Sequence, residues 1–174
     1  MRISKSSFIG FWLIFTLVSC RGEKKYDEPE KAWSKEHSVD FNTEINEREQ
    51  LQINTFLEHY SFLKMKTSNS GLRYSIYEEN ENEKCKKGDV VKIKVIVRTL
   101  DMNLCYKTDS IVGFEEVLLG RNELESGIQE MLSMMRFGEK ARCILPSYLG
   151  HGLIGDKYTI PPQAILYVDL EIKQ

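Results

Sequence analysis

The chain has 174 residues, with 24 lysines and arginines against 26 aspartates and glutamates, a formal net charge of −2 and 41% hydrophobic residues. The hydrophobic share is enough for a packed core and too high for a disordered chain. The length suits one domain with an appended helix, and the near-neutral charge argues against a dedicated nucleic-acid binder, which carries a basic face. Cysteines at 20, 85, 105 and 143 are too few for a disulfide-stapled mini-protein and contain no CxxC pair, so no zinc site is expected.

Residues 1–19 hold Arg2, Lys5 and no acidic residue, and include an apolar run of eleven residues from Phe8 to Val18. A membrane-crossing helix needs about 20 apolar residues. A basic start, a short apolar stretch and a small residue before the break read instead as a secretion signal. The break, Leu17-Val18-Ser19-Cys20, resembles the lipobox of bacterial lipoproteins, in which the cysteine is lipidated and becomes the new N-terminus. The plainer alternative is a signal peptide with an incidental cysteine. Removing 19 residues, which carry two basic side chains and no acidic one, leaves 155 residues at a net charge of −4. Several acyl chains on Cys20 hold a protein on a membrane firmly, where one alone binds marginally. Arg21 follows Cys20, so the aspartate that retains some lipoproteins in the inner membrane is absent. The expected location is the outer membrane, on either face. Residues 20–42 begin at this anchor, and from Arg21 to Lys35 they are rich in Lys, Glu and Asp with Pro29, the composition of a solvated tether.

From Thr43 to Lys66 the apolar residues Ile53, Phe56, Leu57, Tyr60 and Leu63 recur at helical spacing. Glu44, Glu47, Arg48, Glu49 and Glu58 fall mostly elsewhere on the wheel. This predicts an amphipathic helix over 43–68, ended before Asn69-Ser70-Gly71. Its stripe has two candidate partners: the domain that follows, or a second copy of the helix in a homodimer. Trp33 and Phe41 lie upstream and can reach the same surface.

After Gly71, residues 71–174 turn to period two. Leu72 to Tyr77 reads as a short strand, and Glu78 to Lys87 as a charged loop ending in Gly88-Asp89. Val91, Ile93, Val95 and Val97 alternate with lysines as a half-buried strand. A piece around Leu104-Cys105-Tyr106 continues that strand after a break at Asp101-Met102-Asn103. Phe114 to Leu119 gives another strand, and Leu124 to Met135 a helix ended by Gly138. Ala141, Cys143 and Leu145 alternate with Lys140 and Arg142. A loop with Pro146, Gly150, Gly152 and Gly155 leads to Pro161-Pro162. In the last strand Ala164, Leu166, Val168, Leu170 and Ile172 face one way, and Tyr167, Asp169, Glu171 and Lys173 the other. Helices do not alternate with strands, which disfavours a doubly wound parallel sheet. The pattern predicts an α+β fold: an antiparallel sheet wrapped over one short helix and preceded by a helical arm.

Gly88-Asp89-Val90-Val91, Leu119-Gly120, Glu123 to Ile128, Met135 to Ala141, Ile144 to Gly152 and Ile160 to Leu166 come in the order and at the spacings of one family. Over Gly71 to Lys173 the chain resembles the FK506-binding-protein (FKBP) type of peptidyl-prolyl cis–trans isomerase. The lipobox, the helical arm and Leu104-Cys105-Tyr106 are similar to lipoprotein members of that family in Bacteroidetes-type bacteria, some of them linked to gliding motility.

The resemblance implies a curled antiparallel sheet around one helix and a shallow apolar pocket for a proline ring. It implies proline-containing polypeptides as partners, and neither metal nor cofactor. By position the pocket wall falls on Tyr106, Phe114, Leu124, Glu125, Ile128, His151, Ile160 and Val168. Ile128 stands where many members have Trp, Val168 where Phe is usual, and Val95 near a usual aromatic. His151 stands at the usual Tyr that reaches the substrate carbonyl, and Lys107 takes the place of a rim Asp. Glu125 replaces an apolar residue whose main-chain N–H contacts the ligand, a donor that survives the replacement. Read by itself, the Glu123–Glu125 pair is better explained as a solvated face than as an acid–base pair. The implied activity is an isomerase assisting secreted or envelope proteins, weakened by the thinned pocket. The alternative is a non-catalytic binding module of the envelope. Cys143 reads as a buried small hydrophobe; in an oxidising envelope two of Cys85, Cys105 and Cys143 can pair.

Overall fold

The computed structural model describes residues 34–173 apart from 110, 112 and 122. The chain divides into two units, Met1–Ser34 and Lys35–Gln174, and the described residues, Ser34 excepted, belong to the second. The signal, Cys20, Trp33 and most of the tether lie outside the described residues.

The first element is a helix, α1 (Lys35–His59), of 25 residues. It starts eight residues earlier than the stripe predicts and stops before Leu63. No Pro or Gly occurs between Pro29 and Gly71, so nothing in the upstream residues breaks the helix, and the tether's last residues are helical. The C-terminal difference is set by tertiary pairing. Lys66 and Thr67 form a two-residue strand, β1, against Tyr74 and Arg73, which a helix running on to 68 would forbid.

The strands that follow are β2 (Arg73–Glu78), β3 (Val90–Thr99), β4 (Leu104–Lys107), β5 (Glu115–Leu118), β6 (Lys140–Leu145) and β7 (Leu166–Lys173), with the helix α2 (Ser126–Met134) between β5 and β6. They form one antiparallel sheet in the order β1-β2-β6-β7-β3-β4, with β5 also on β3. β4 does not continue β3, as the sequence pattern suggests. Met102, at φ 67°, turns the chain so that Thr99 N–H donates to Asn103 C=O at 2.9 Å and Tyr106 pairs back on Val97. β4 and β5 then lie end to end along one edge of β3. Thr108 fills the gap between them: its N–H donates to Val95 C=O at 2.9 Å, and its hydroxyl accepts Val95 N–H at 3.0 Å.

Period two sorts the strands onto two faces. On the inner face Val91, Ile93, Val95 and Val97 of β3, Ala141, Cys143 and Leu145 of β6, and Leu166, Val168, Leu170 and Ile172 of β7 join Ile128, Met131 and Leu132 of α2 in one core. On the outer face Ile53 and Leu63 cluster with Ile144, Ile165 and Tyr167, flanked by Phe56, Leu57, Tyr60, Met65 and Leu100. The helical stripe therefore has its partner in its own domain. Tyr167, on the expected polar side of the last strand, is buried beneath the arm. Phe41 is 39% exposed.

One prediction about α1 is corrected. Glu49, expected on the solvent side, is 1% exposed. It lies four residues from both Ile45 and Ile53, which are buried as well. Its carboxylate accepts Ser147 N–H at 2.8 Å, while its other oxygen is buried without a partner among the described residues.

Candidate functional site

The site forms where the N-terminus of α2 meets β4, β7 and the loop that follows β6. Gly127, in the first turn of α2, lets this end of the helix lie against the sheet: a Cβ there would come within 2.6 Å of Leu145 Cγ. Ser126 Oγ donates to Leu149 C=O at 3.1 Å and ties the helix start to the loop.

That loop is held along its length. Ser147–Leu149 makes one 3-10 turn, and Gly152 N–H donates back to Ser147 C=O at 2.8 Å. Asp156 then knots the next stretch. Its Oδ1 accepts N–H from Tyr158, Thr159 and Ile160 at 2.8, 2.9 and 2.7 Å. Residual desolvation pulls its carboxyl upward, but these donors and the Thr159 hydroxyl outweigh it and hold the group down at about 2. Gly155, at φ 66°, sits so close to Ile160 C=O that no side chain fits there. His151 and Ile160 are thus presented by a loop closed on itself, not by a regular element.

Five of the eight candidate residues belong to the inner core. Ile128 and Val168 are fully buried and Ile160 is 2% exposed, with Leu124 and Tyr106 packed on the same core. Phe114 is not among the residues packed there; it is half-buried, with Lys173 Nζ 4.2 Å from its ring centroid. Val95 is 2% exposed and lies in the core beneath the site, and Lys107 is exposed at the edge.

Glu125 departs most from the reading of Glu123 and Glu125 as a solvated face. Glu123 is exposed, with Arg121 at 3.8 Å, but the Glu125 side chain is only 7% exposed. As N-cap residue of α2, with φ −53° and ψ 141°, it holds its carboxylate between β4 and the loop after β6. There the Tyr106 hydroxyl lies 2.7 and 2.8 Å from its two oxygens, and His151 Nε2 is 2.9 Å from Oε1. Burial and the neighbouring carboxylate push the Tyr106 phenol well above its ordinary value, so it remains a donor. The Glu125 N–H takes no partner among the described residues. A buried carboxylate at this place had no signal in a lone Glu beside an apolar run. Glu49 did have one, in its helical spacing from Ile45 and Ile53.

This arrangement sets buried apolar side chains beside a hydrogen-bonded cluster of Tyr106, Glu125 and His151. Among the described residues no three His, Cys, Asp or Glu side chains gather as a metal site. Cys85, Cys105 and Cys143 are free and buried. Burial raises all three thiols, Cys85 to about 11, which keeps them unreactive. A groove of about 730 Å³ lies elsewhere, on the outer face, between Leu51, Thr55 and Phe56 of α1 and Leu100, Met102 and Ile165. None of the eight candidate residues lines it.

Comparison with known proteins bears on this geometry. The model of the FKBP-type peptidyl-prolyl cis-trans isomerase family matches residues 81–173. The chain is 30% identical over 94 residues to peptidyl-prolyl cis-trans isomerase FKBP10 of Mus musculus, covering 54% of this chain and 16% of that protein. It is 32% identical over 87 residues to FKBP9 of Homo sapiens, covering 50% of this chain and 15% of that protein. The chain thus spans about a sixth of the length of these relatives. Among solved structures, FkpA from Escherichia coli superposes with a TM-score of 0.61 at 22% identity, covering 80% of this chain and 66% of that one. A peptidyl-prolyl cis-trans isomerase from Pseudomonas syringae pv. tomato gives 0.58 at 18%, covering 72% and 93%. At these identities the structures speak for the fold.

Proposed function

The chain belongs to the FKBP-type peptidyl-prolyl cis-trans isomerase family, and from that premise we propose that its domain accelerates rotation about X–Pro bonds, weakly, in polypeptides that fold outside the cytoplasm. The barrier to this rotation, about 18–20 kcal/mol, comes from amide resonance. Unaided, it turns over in tens of seconds or longer. A catalyst needs only to bind the twisted amide better than the planar one.

The observation that carries the reading is the apolar group Tyr106, Leu124, Ile128, Ile160 and Val168 together with the Glu125 N–H, which has no partner among the described residues. That apolar group takes the proline ring and disfavours the more polar planar amide. The N–H holds the substrate carbonyl. The rings missing at 95, 128 and 168 each remove about 1–2 kcal/mol of contact. If about 3 kcal/mol of that acted on the transition state, the rate would fall on the order of 100-fold. A protease-free assay on a short X–Pro peptide with the chain from Arg21 onward tests this. Measurable acceleration at tens of micromolar protein is expected, and its absence overturns the enzymatic reading.

The buried Glu125 carboxylate favours a second reading, a module that grips extended segments without turning them over. Suppression of client aggregation that survives substitution of His151 and Tyr106 would select it.

The cellular setting is part of the same proposal. The lipobox-like Leu17 to Cys20 supports a lipid anchor at Cys20 and an outer-membrane site. Together with the helical arm and Leu104-Cys105-Tyr106 it supports a lipoprotein of the Bacteroidetes gliding-motility type. Because Ile53, Phe56, Leu57 and Tyr60 are engaged within the domain, a homodimer through the helix would use the exposed Val39 and Leu51.

A further inference from the structure

Residues directly opposite each other in paired strands share a face, so the registers assign every charge of the sheet's outer face. β3 brings Lys92, Lys94 and Arg98 there, and β7 brings Asp169, Glu171 and Lys173. The edge strands add Lys107 of β4 and Glu116 of β5. β6 adds Lys140 and Arg142, and β2 adds Arg73 and Glu78. Eight cationic side chains thus stand against four anionic ones, in a chain whose net charge is −2.

The excess is concentrated at one end. Asp169 is shared by Arg98 and Arg142 at 2.8 and 3.1 Å, Glu78 pairs with Lys140 at 3.0 Å, and Glu171 lies 3.7 Å from Lys173. Arg73 is held by Gln50 of α1. Lys92, Lys94 and Lys107 are exposed and make no ion pair among the described residues. Glu116 is the one anion of the face not engaged by another cation. Lys92 also stands directly opposite Lys173. Like charges so placed weaken a sheet, a cost that solvation of this face does not require. Val90, on the same face beyond Lys92, is 61% exposed. This end lies away from α1, whose cluster takes Ile144 and Tyr167 at the other. The groove beside α1 uses none of these lysines. They form an open surface. A lysine is a compact point charge without the fork that reads a single carboxylate or phosphate, so unpaired lysines on open sheet suit a broad anionic surface better than one shaped partner.

We propose that the end of the outer face around Lys92, Lys94 and Lys173 docks on the anionic headgroups of a lipid bilayer. The choice of a bilayer rests on reading Cys20 as a lipid anchor, which keeps the domain beside one. Each basic side chain near such a surface adds attraction that fades within a Debye length, and an exposed apolar residue beside the cations suits the headgroup boundary.

Vesicle flotation tests this with the chain from Arg21 onward, which holds the whole second unit but neither the apolar run of the signal nor Cys20. It should bind vesicles of mixed phosphatidylcholine and phosphatidylglycerol on the order of tenfold or more tightly than phosphatidylcholine alone, and added salt should weaken that binding. Lys92→Glu with Lys94→Glu should lower it about tenfold or more. Lys66→Glu with Lys157→Glu changes the net charge equally, at one residue on the face of Tyr74 and one in the loop after β6, and should leave most of it. All four lysines are exposed, and circular dichroism checks that each variant is folded. Equal binding to the two kinds of vesicle, binding to neither, or equal losses in the two double variants overturns the proposal. Polyglutamate bound as tightly as the mixed vesicles makes the occupant an acidic polypeptide and overturns it too. Vesicle binding with Cys20 found unacylated in the native protein overturns the anchor and leaves the docking face standing. An acylated Cys20 without vesicle binding does the reverse.

Discussion

The two faces of the sheet do different work. The inner face is apolar along β3, β6 and β7 and packs on α2. The outer face has a small apolar patch under α1, beside which Asp169 pairs with Arg98 at 2.8 Å and Arg142 at 3.1 Å. Yet each face sends a buried carboxylate to the same loop. From the outside, Glu49 accepts Ser147 N–H; from the inside, Glu125 bonds His151. The inner face carries the core around α2, and the outer face holds one end of the loop that carries His151. The arm is thereby tied to that loop and is not an independent appendage.

The largest test of this division compares one truncation on each face. Ile128→Ala, at a fully buried inner position, should cost about 2–5 kcal/mol in chemical denaturation and abolish peptide binding. Ile53→Ala, equally buried under the arm, should cost stability in the same range yet leave a peptide affinity that NMR titration can still measure. If the Ile53 variant loses binding as completely as the Ile128 variant, the faces are not separable.

A smaller effect is expected from the outer carboxylate. Glu49→Ala leaves Ser147 N–H buried and unpaired, at a cost of about 1–3 kcal/mol. Glu49→Gln keeps an acceptor and should cost less. A gain in stability from the alanine variant would mean that the bond to the loop is not what retains Glu49.

The smallest effect concerns the loop alone. The Asp156 carboxyl is depressed to about 2 from an unfolded value near 4. Its contribution to stability is therefore complete above pH ~4 and is lost as pH falls through about 2. Carboxyl chemical shifts should titrate with that midpoint. A midpoint near 4 would show that the knot of N–H donors is loose in solution.

Much of the inner face was legible in the residues. Alternation in β3, β6 and β7 is a direct consequence of side chains pointing to opposite faces. The ordered motifs from Gly88 to Leu166 carry the family. Three features were not legible. β4 reads as a continuation of β3 because alternation has no direction; a left-handed Met102 reverses the chain. The arm's end is set by β1 pairing with β2, a contact no helical period contains. Glu125 reads as solvated because an isolated carboxylate ordinarily stays in water. It is buried here because Tyr106 and His151, from a strand and a loop distant in sequence, supply the donors.

By itself the sequence determined the period of each strand, the apolar stripe of the arm and the motif order that defines the family, since these are local properties of the chain. Tertiary structure alone decided where the arm docks, which way β4 runs and that Glu125 shares one hydrogen-bonded cluster with Tyr106 and His151. Each of these depends on groups far apart in sequence meeting at hydrogen-bond or packing distance, and that meeting has no spacing to reveal it.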